Sequence, residues 1–104
     1  MDQNEIVKKI WEEVATVEDP DLGMSLVELG LIYDVSFSEE DGTHIKMTLT
    51  SMACPMGPQL RNSVEESAKR VPEAGNVNVE IVWTPPWDPR EMASEEAQMH
   101  LGIF

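Results

Sequence analysis

Cys54 is the one cysteine in the chain, and it stands directly before Pro55. Proline suits the first turn of a helix, because its missing N–H would be unpaired there anyway, so Cys54 would sit at the cap with its sulfur among free amides. The partial positive charge of a helix start stabilises thiolate over thiol, the form that ligates metal or attacks an electrophile. The competing reading is a small, buried, inert side chain. A nucleophilic cysteine also needs a base, and only His44 and His100 are on offer. Strand alternation puts His44 on a polar face with Lys46, Thr48 and Thr50, either wet or covered by helices. His100 reads as a solvated position or a helix C-terminus. Neither forms a convincing dyad. Structural zinc and clusters want about four protein ligands. One thiolate therefore builds no closed site in a monomer. Asp19, Asp21 and Glu28 follow the first helix and would add oxygen ligands, unless they are plain solvated polarity.

These residues need elements to hold them. Ile6, Val7, Ile10, Trp11 and Val14 recur at helical spacing over residues 4–15, with Asp2 placed to cap and Glu5 three positions on. Val17 to Gly23 leaves helix for a loop, and Ser25, Glu28 and Gly30 bracket one helical turn. Tyr33, Val35 and Phe37 alternate with polar residues over 31–38, and Ile45, Met47 and Leu49 do so over 43–50. Glu39 to Gly42 provides the hairpin turn between them. Leu60, Val64, Ala68 and Val71 mark a second long helix, stopped by Pro72 and Gly75. Val77, Val79, Ile81 and Trp83 form a third strand. The proline-rich remainder ends in a short helical segment, Ser94 to Leu101, and reads as a tail packed across the core.

The predicted fold is α+β, a two-layer sandwich of helix, strand, strand, helix, strand with a C-terminal tail, and residues 1–104 are expected to form a single domain. Its 104 residues suffice for one core without disulfides. A formal charge of −13, with only seven scattered basic residues, excludes nucleic acid and anionic membrane as partners. There is no basic segment followed by an apolar run at the start and no apolar stretch long enough for a span. With a lone cysteine, that points to the cytoplasm.

Several stretches together resemble one family: Asp19-Pro20-Asp21-Leu22-Gly23, Val27 to Ile32, Met47 to Thr50 continuing to Cys54-Pro55, Pro85-Pro86-Trp87, and the closing Leu101-Gly102-Ile103. The chain resembles SufT/PaaD-like metal-sulfur cluster assembly factors over nearly its whole length. The resemblance implies a fold similar to the NifU C-terminal domain and a non-enzymatic accessory role in iron-sulfur cluster assembly or transfer. Iron or a cluster would be held transiently, with iron-sulfur assembly proteins and client apoproteins as partners. Carried over, the family's reactive, metal-ligating cysteine falls on Cys54, its acidic positions on Asp19, Asp21 and Glu28, and its threonine-rich strand end on Thr48 and Thr50. The family often has Glu where Asp21 stands. NifU-type domains carry Cys-x-x-Cys at this loop, whereas Gly57 holds the second position here, which argues against a self-sufficient scaffold. The alternatives are a PaaD-like maturation component for a phenylacetate-degrading oxygenase and a thiol-dependent enzyme. PaaD-like members typically add a cysteine-rich C-terminal part, absent before Phe104. A homodimer, which would bring two Cys54 into one assembly, is left open.

Overall fold

The computed structural model describes residues 2–19, 23–49 and 57–102. The predicted roles of Asp21, Thr50 and Cys54, and the proposed helix start at Pro55, fall outside these residues. Helix α1, Gln3–Val14, starts where expected: Asp2 caps it, accepting a 2.8 Å hydrogen bond from the Glu5 amide. Its apolar stripe buries Ile6, Ile10 and Val14. Two short strands follow, β1 (Glu18–Asp19) and β2 (Met24–Ser25), paired antiparallel. Sequence alternation reads that stretch as loop, because two-residue strands are too short to show a period. The one-turn helix α2, Leu26–Leu29, then lies between a Ser25 cap and Gly30, whose φ of 79° is the left-handed conformation glycine adopts freely.

Strands β3 (Ile32–Ser38) and β4 (Gly42–Met47) form the expected antiparallel hairpin, and β5 (Val77–Ile81) joins β4 in parallel, giving the order β3-β4-β5. Helix α3, Gly57–Lys69, and a 3₁₀ turn, Pro72–Ala74, make the crossover from β4 to β5. Helices α1 and α3 pack on one face of the sheet, α1 against β3 and α3 against β5. There Val35, Ile45, Met47 and Val79 meet Ile10, Val14, Leu60 and Val64 in the core. Each fully buried aliphatic side chain of this kind contributes about 1.5–3 kcal/mol of transfer free energy, the force that holds the two layers together.

Three strand details depart from simple alternation. A register shift lies between Ile32 and Asp34, so Ile32 opposite Met47 and Val35 opposite Ile45 both face the core although three residues apart. Tyr33 is the extra residue, and it does not share a face with Val35 as period-two counting requires. Strand β4 ends at Met47, leaving Thr48 outside it. Strand β5 ends at Ile81, so Trp83 lies beyond it and is exposed. The tail folds as α4 (Pro89–Met92) and α5 (Glu95–Leu101), with Ser94 capping α5 by accepting from the Ala97 amide at 3.1 Å. Among the described residues no helix is long and apolar enough to cross a membrane.

Candidate functional site

A relay of backbone hydrogen bonds gathers the acidic segment and the end of β4. The Leu26 amide donates to the Val17 carbonyl at 2.9 Å, Leu31 to Leu26 at 3.0 Å, and Thr48 to Leu31 at 2.8 Å. The relay ties together the segments that carry Asp19, two residues past Val17, Glu28 on α2 and Thr48 after β4. No side-chain identity is required for this tie, since main-chain groups make every link.

The three residues differ in character. Asp19 is only 2% exposed, its main chain is fixed by pairing with Met24, and its carbonyl accepts from Gly23 at 2.7 Å. No buried side-chain oxygen or nitrogen among the described residues lacks a hydrogen-bond partner, as burial of a carboxylate requires. Glu28 is half-buried on a single turn of helix. Thr48, expected beside His44 and Lys46 on the polar face, is instead buried. Beside it, the Tyr33 hydroxyl donates at 2.7 Å to the Pro85 carbonyl, with Met92 Sδ at 3.5 Å. Burial raises the Tyr33 pKa above its ordinary value of 10.0, and the Thr48 hydrogen bond opposes part of that rise. The tail therefore covers this end of the sheet face, while the other end stays wet.

The tail is also what completes α2. A helix leaves its last carbonyls without intrahelical partners. The Leu26 and Val27 carbonyls accept from the Gly30 amide, and Leu26 from Leu31 as well. The Glu28 carbonyl accepts from the Ser94 amide at 2.8 Å, and the Leu29 carbonyl from Trp87 Nε1 at 2.8 Å. Trp87 is thus an anchor of the tail on α2. Tyr33 is the residue sequence reasoning missed, since only the bulge turns it toward the tail.

The histidines lie elsewhere. His44 is on the wet face, with Nε2 3.1 Å from Glu80 Oε1 and Nδ1 3.1 Å from Asn78 Nδ2. Both ring nitrogens are engaged. His100 is in the last turn of α5, as expected of a C-terminal helix position. Among the described residues no three His, Cys, Asp or Glu side chains are grouped to hold a metal ion.

The model of a family described as iron-sulfur cluster assembly protein matches residues 8–81. The chain belongs to this family. Within it, the chain is similar to the Fe-S protein maturation auxiliary factor YitW of Bacillus subtilis strain 168, at 44% identity over 96 residues, covering 92% of this chain and 93% of the relative. It is similar also to the Fe-S protein maturation auxiliary factor SufT of Staphylococcus aureus strain USA300, at 45% identity over 87 residues, covering 84% and 98%. A crystal structure of a domain of unknown function, DUF59, from Bacillus anthracis superposes with a TM-score of 0.87 at 39% identity, covering 98% of this chain and 96% of that one. The α+β fold of the iron-sulfur cluster assembly family is therefore the fold of this chain, and the matched stretch runs from α1 to the end of β5. The tail that completes α2 lies beyond the family match.

Proposed function

We propose that this chain is an auxiliary factor in iron-sulfur protein maturation that assists cluster assembly or transfer to client apoproteins. The observation that carries the reading is the likeness over nearly the full length to Fe-S protein maturation auxiliary factors. Iron or a cluster is cargo in this reading, held transiently and passed on, and the partners are assembly proteins and client apoproteins. Cys54 supplies the sulfur ligand, and Asp19, Asp21, Glu28 and Thr50 are the further functional residues of this reading. Thr48 serves by packing, since it is buried. A carrier role, as opposed to thiol catalysis, is supported by the engagement of both His44 ring nitrogens. The lone cysteine fits a reducing, cytoplasmic setting.

The test is a strain lacking the native gene, rescued with wild type or Cys54→Ser, with the activity of an iron-sulfur client enzyme and the melting temperature of each purified variant as readouts. The serine variant is expected to fold normally and fail to rescue, because a hydroxyl is a far poorer ligand for iron and a far weaker nucleophile than a thiolate. Full rescue by Cys54→Ser would remove the thiol from the mechanism.

A further inference from the structure

A cleft of about 480 Å³ opens at the other end of the sheet. Ile6 of α1 and Phe37 of β3 give it apolar walls, and Glu39, Glu40 and Glu73 stand around them. Its two acidic sides come from distant segments, the hairpin turn after β3 and the 3₁₀ turn before β5. They are clamped together: the Thr43 amide donates to the Asn76 carbonyl at 2.7 Å and the Thr43 hydroxyl to the Ala74 carbonyl at 2.8 Å. At Gly42 the chains approach so closely that a Cβ would lie 2.3 Å from the Asn76 oxygen. The cleft is therefore a feature of the rigid scaffold. Among the described residues none of the three carboxylates is ion-paired and no lysine or arginine lines the cleft.

We propose that this cleft is a docking socket for a basic segment of a partner protein, which inserts an arginine side chain. The chemistry matches in two parts. A long basic side chain lays its methylenes on apolar surface and keeps its charged head at the rim, here Phe37 and Ile6 below and the carboxylates above. A net charge of −13 steers such a segment toward the chain. The socket also leaves the other site accessible. From Gly42 to Thr48 the chain is extended over a strand length of about 20 Å, so a partner seated here does not cover Glu28. This inference rests on the cleft alone and survives or fails independently of the role of Cys54.

The probe is the peptide acetyl-Leu-Arg-Ala-Leu-Arg-amide, titrated into the ¹⁵N-labelled full chain while amide shifts are followed. Saturable shifts at Gly42, Gly75 and Asn76, with Leu31, Thr48 and Ser94 unmoved, are expected. Glu39→Gln with Glu73→Gln should weaken binding about fivefold or more, and Glu95→Gln with Glu96→Gln, an equal change of charge on exposed α5, less than about twofold. The substituted positions of the first pair are exposed, and preserved shift dispersion will show that the fold is intact. Absence of binding, shifts spread over the acidic surface, or equal weakening by the two double variants would each overturn the proposal.

Discussion

Replacing Gly30 with alanine should loosen the tail from α2. Gly30 has φ of +79°, and an added Cβ would lie 2.3 Å from the Met92 carbonyl oxygen and 2.6 Å from its carbon. Two penalties act together. The left-handed conformation costs an L-residue about 1–2 kcal/mol. The collision is with backbone, so no rotamer change relieves it, and either the end of α2 shifts away from the tail or the tail detaches. Detachment sets the upper limit. It removes the hydrogen bonds from Trp87 to Leu29, Ser94 to Glu28 and Tyr33 to Pro85, each worth about 0.5–1.5 kcal/mol. It also exposes the methyls of Ala93 and Ala97, at about 0.8 kcal/mol each, and regains some chain entropy.

The expected destabilisation is therefore roughly 3–5 kcal/mol, against about 1–2 kcal/mol for Gly102→Ala, where φ is +75° and nothing lies within 4 Å. Urea unfolding followed by circular dichroism gives both values. The slope against urea should fall for Gly30→Ala alone, because a detached tail is exposed before global unfolding begins. Hydrogen exchange at the Ser94 amide, which bonds the Glu28 carbonyl, should accelerate in that variant. Two variants equal within about 0.5 kcal/mol, with Ser94 still protected, would refute the steric reasoning and leave only the conformational penalty.

Tyr33 is the sole tyrosine, so its ionisation can be followed by ultraviolet absorbance, and the midpoint should lie above 10.0 because burial disfavours the phenolate. A raised native pKa means the folded state holds the proton more tightly. The stabilisation is complete below the unfolded value and is lost as pH rises through the raised one. Tyr33→Phe should flatten this alkaline decline, and a midpoint at or below 10.0 would contradict the assignment. Trp87→Phe keeps an aromatic ring but leaves the Leu29 carbonyl without its donor, for an expected loss of about 1–3 kcal/mol by urea unfolding. Combined with Gly30→Ala it should cost less than the two separately, since both act by freeing the tail; strict additivity would argue against a shared mechanism.

Much of this arrangement was legible in residue types and spacing. The 3.6-residue recurrence of Ile6, Ile10 and Val14 places α1, because one stripe of a helix must be buried. Ser25, Gly30 and Ser94 act as caps where their chemistry allows, and Val35, Ile45 and Val79 face the core. What escaped has a common cause: it depends on partners distant in sequence. The Asp19–Met24 pair is too short to carry a pattern, and the bulge at Tyr33 is specified by the register with β4. Thr48 is buried just after β4 has ended at Met47, where local strand parity no longer applies. Among the candidate site residues, composition grouped Asp19 and Glu28 as one acidic segment. The fold separates them into a carboxylate closed off from water and one left partly open.

That separation bears on how the site is held. Four residues make too short a helix to persist by itself, since nucleation is unfavourable and few hydrogen bonds follow it. Burial of Leu26 and Leu29 holds α2 to the core from one side. Its carbonyls fall into two pairs: among the described residues, the first two are satisfied locally through Gly30 and Leu31, and the last two by Ser94 and Trp87 of the tail. The tail is thus the C-terminal cap of α2, supplied from more than fifty residues away. Glu28 is in that second pair. Its main chain is held by the tail while its carboxylate is on the same turn, so any shift of residues 87–94 moves the carboxylate with it. On the proposed function, substitutions in the tail should therefore change cluster hand-off without touching Cys54 or any carboxylate. The same construction accounts for Gly30, where only a residue without a side chain lets Met92 come close enough for both tail bonds to form.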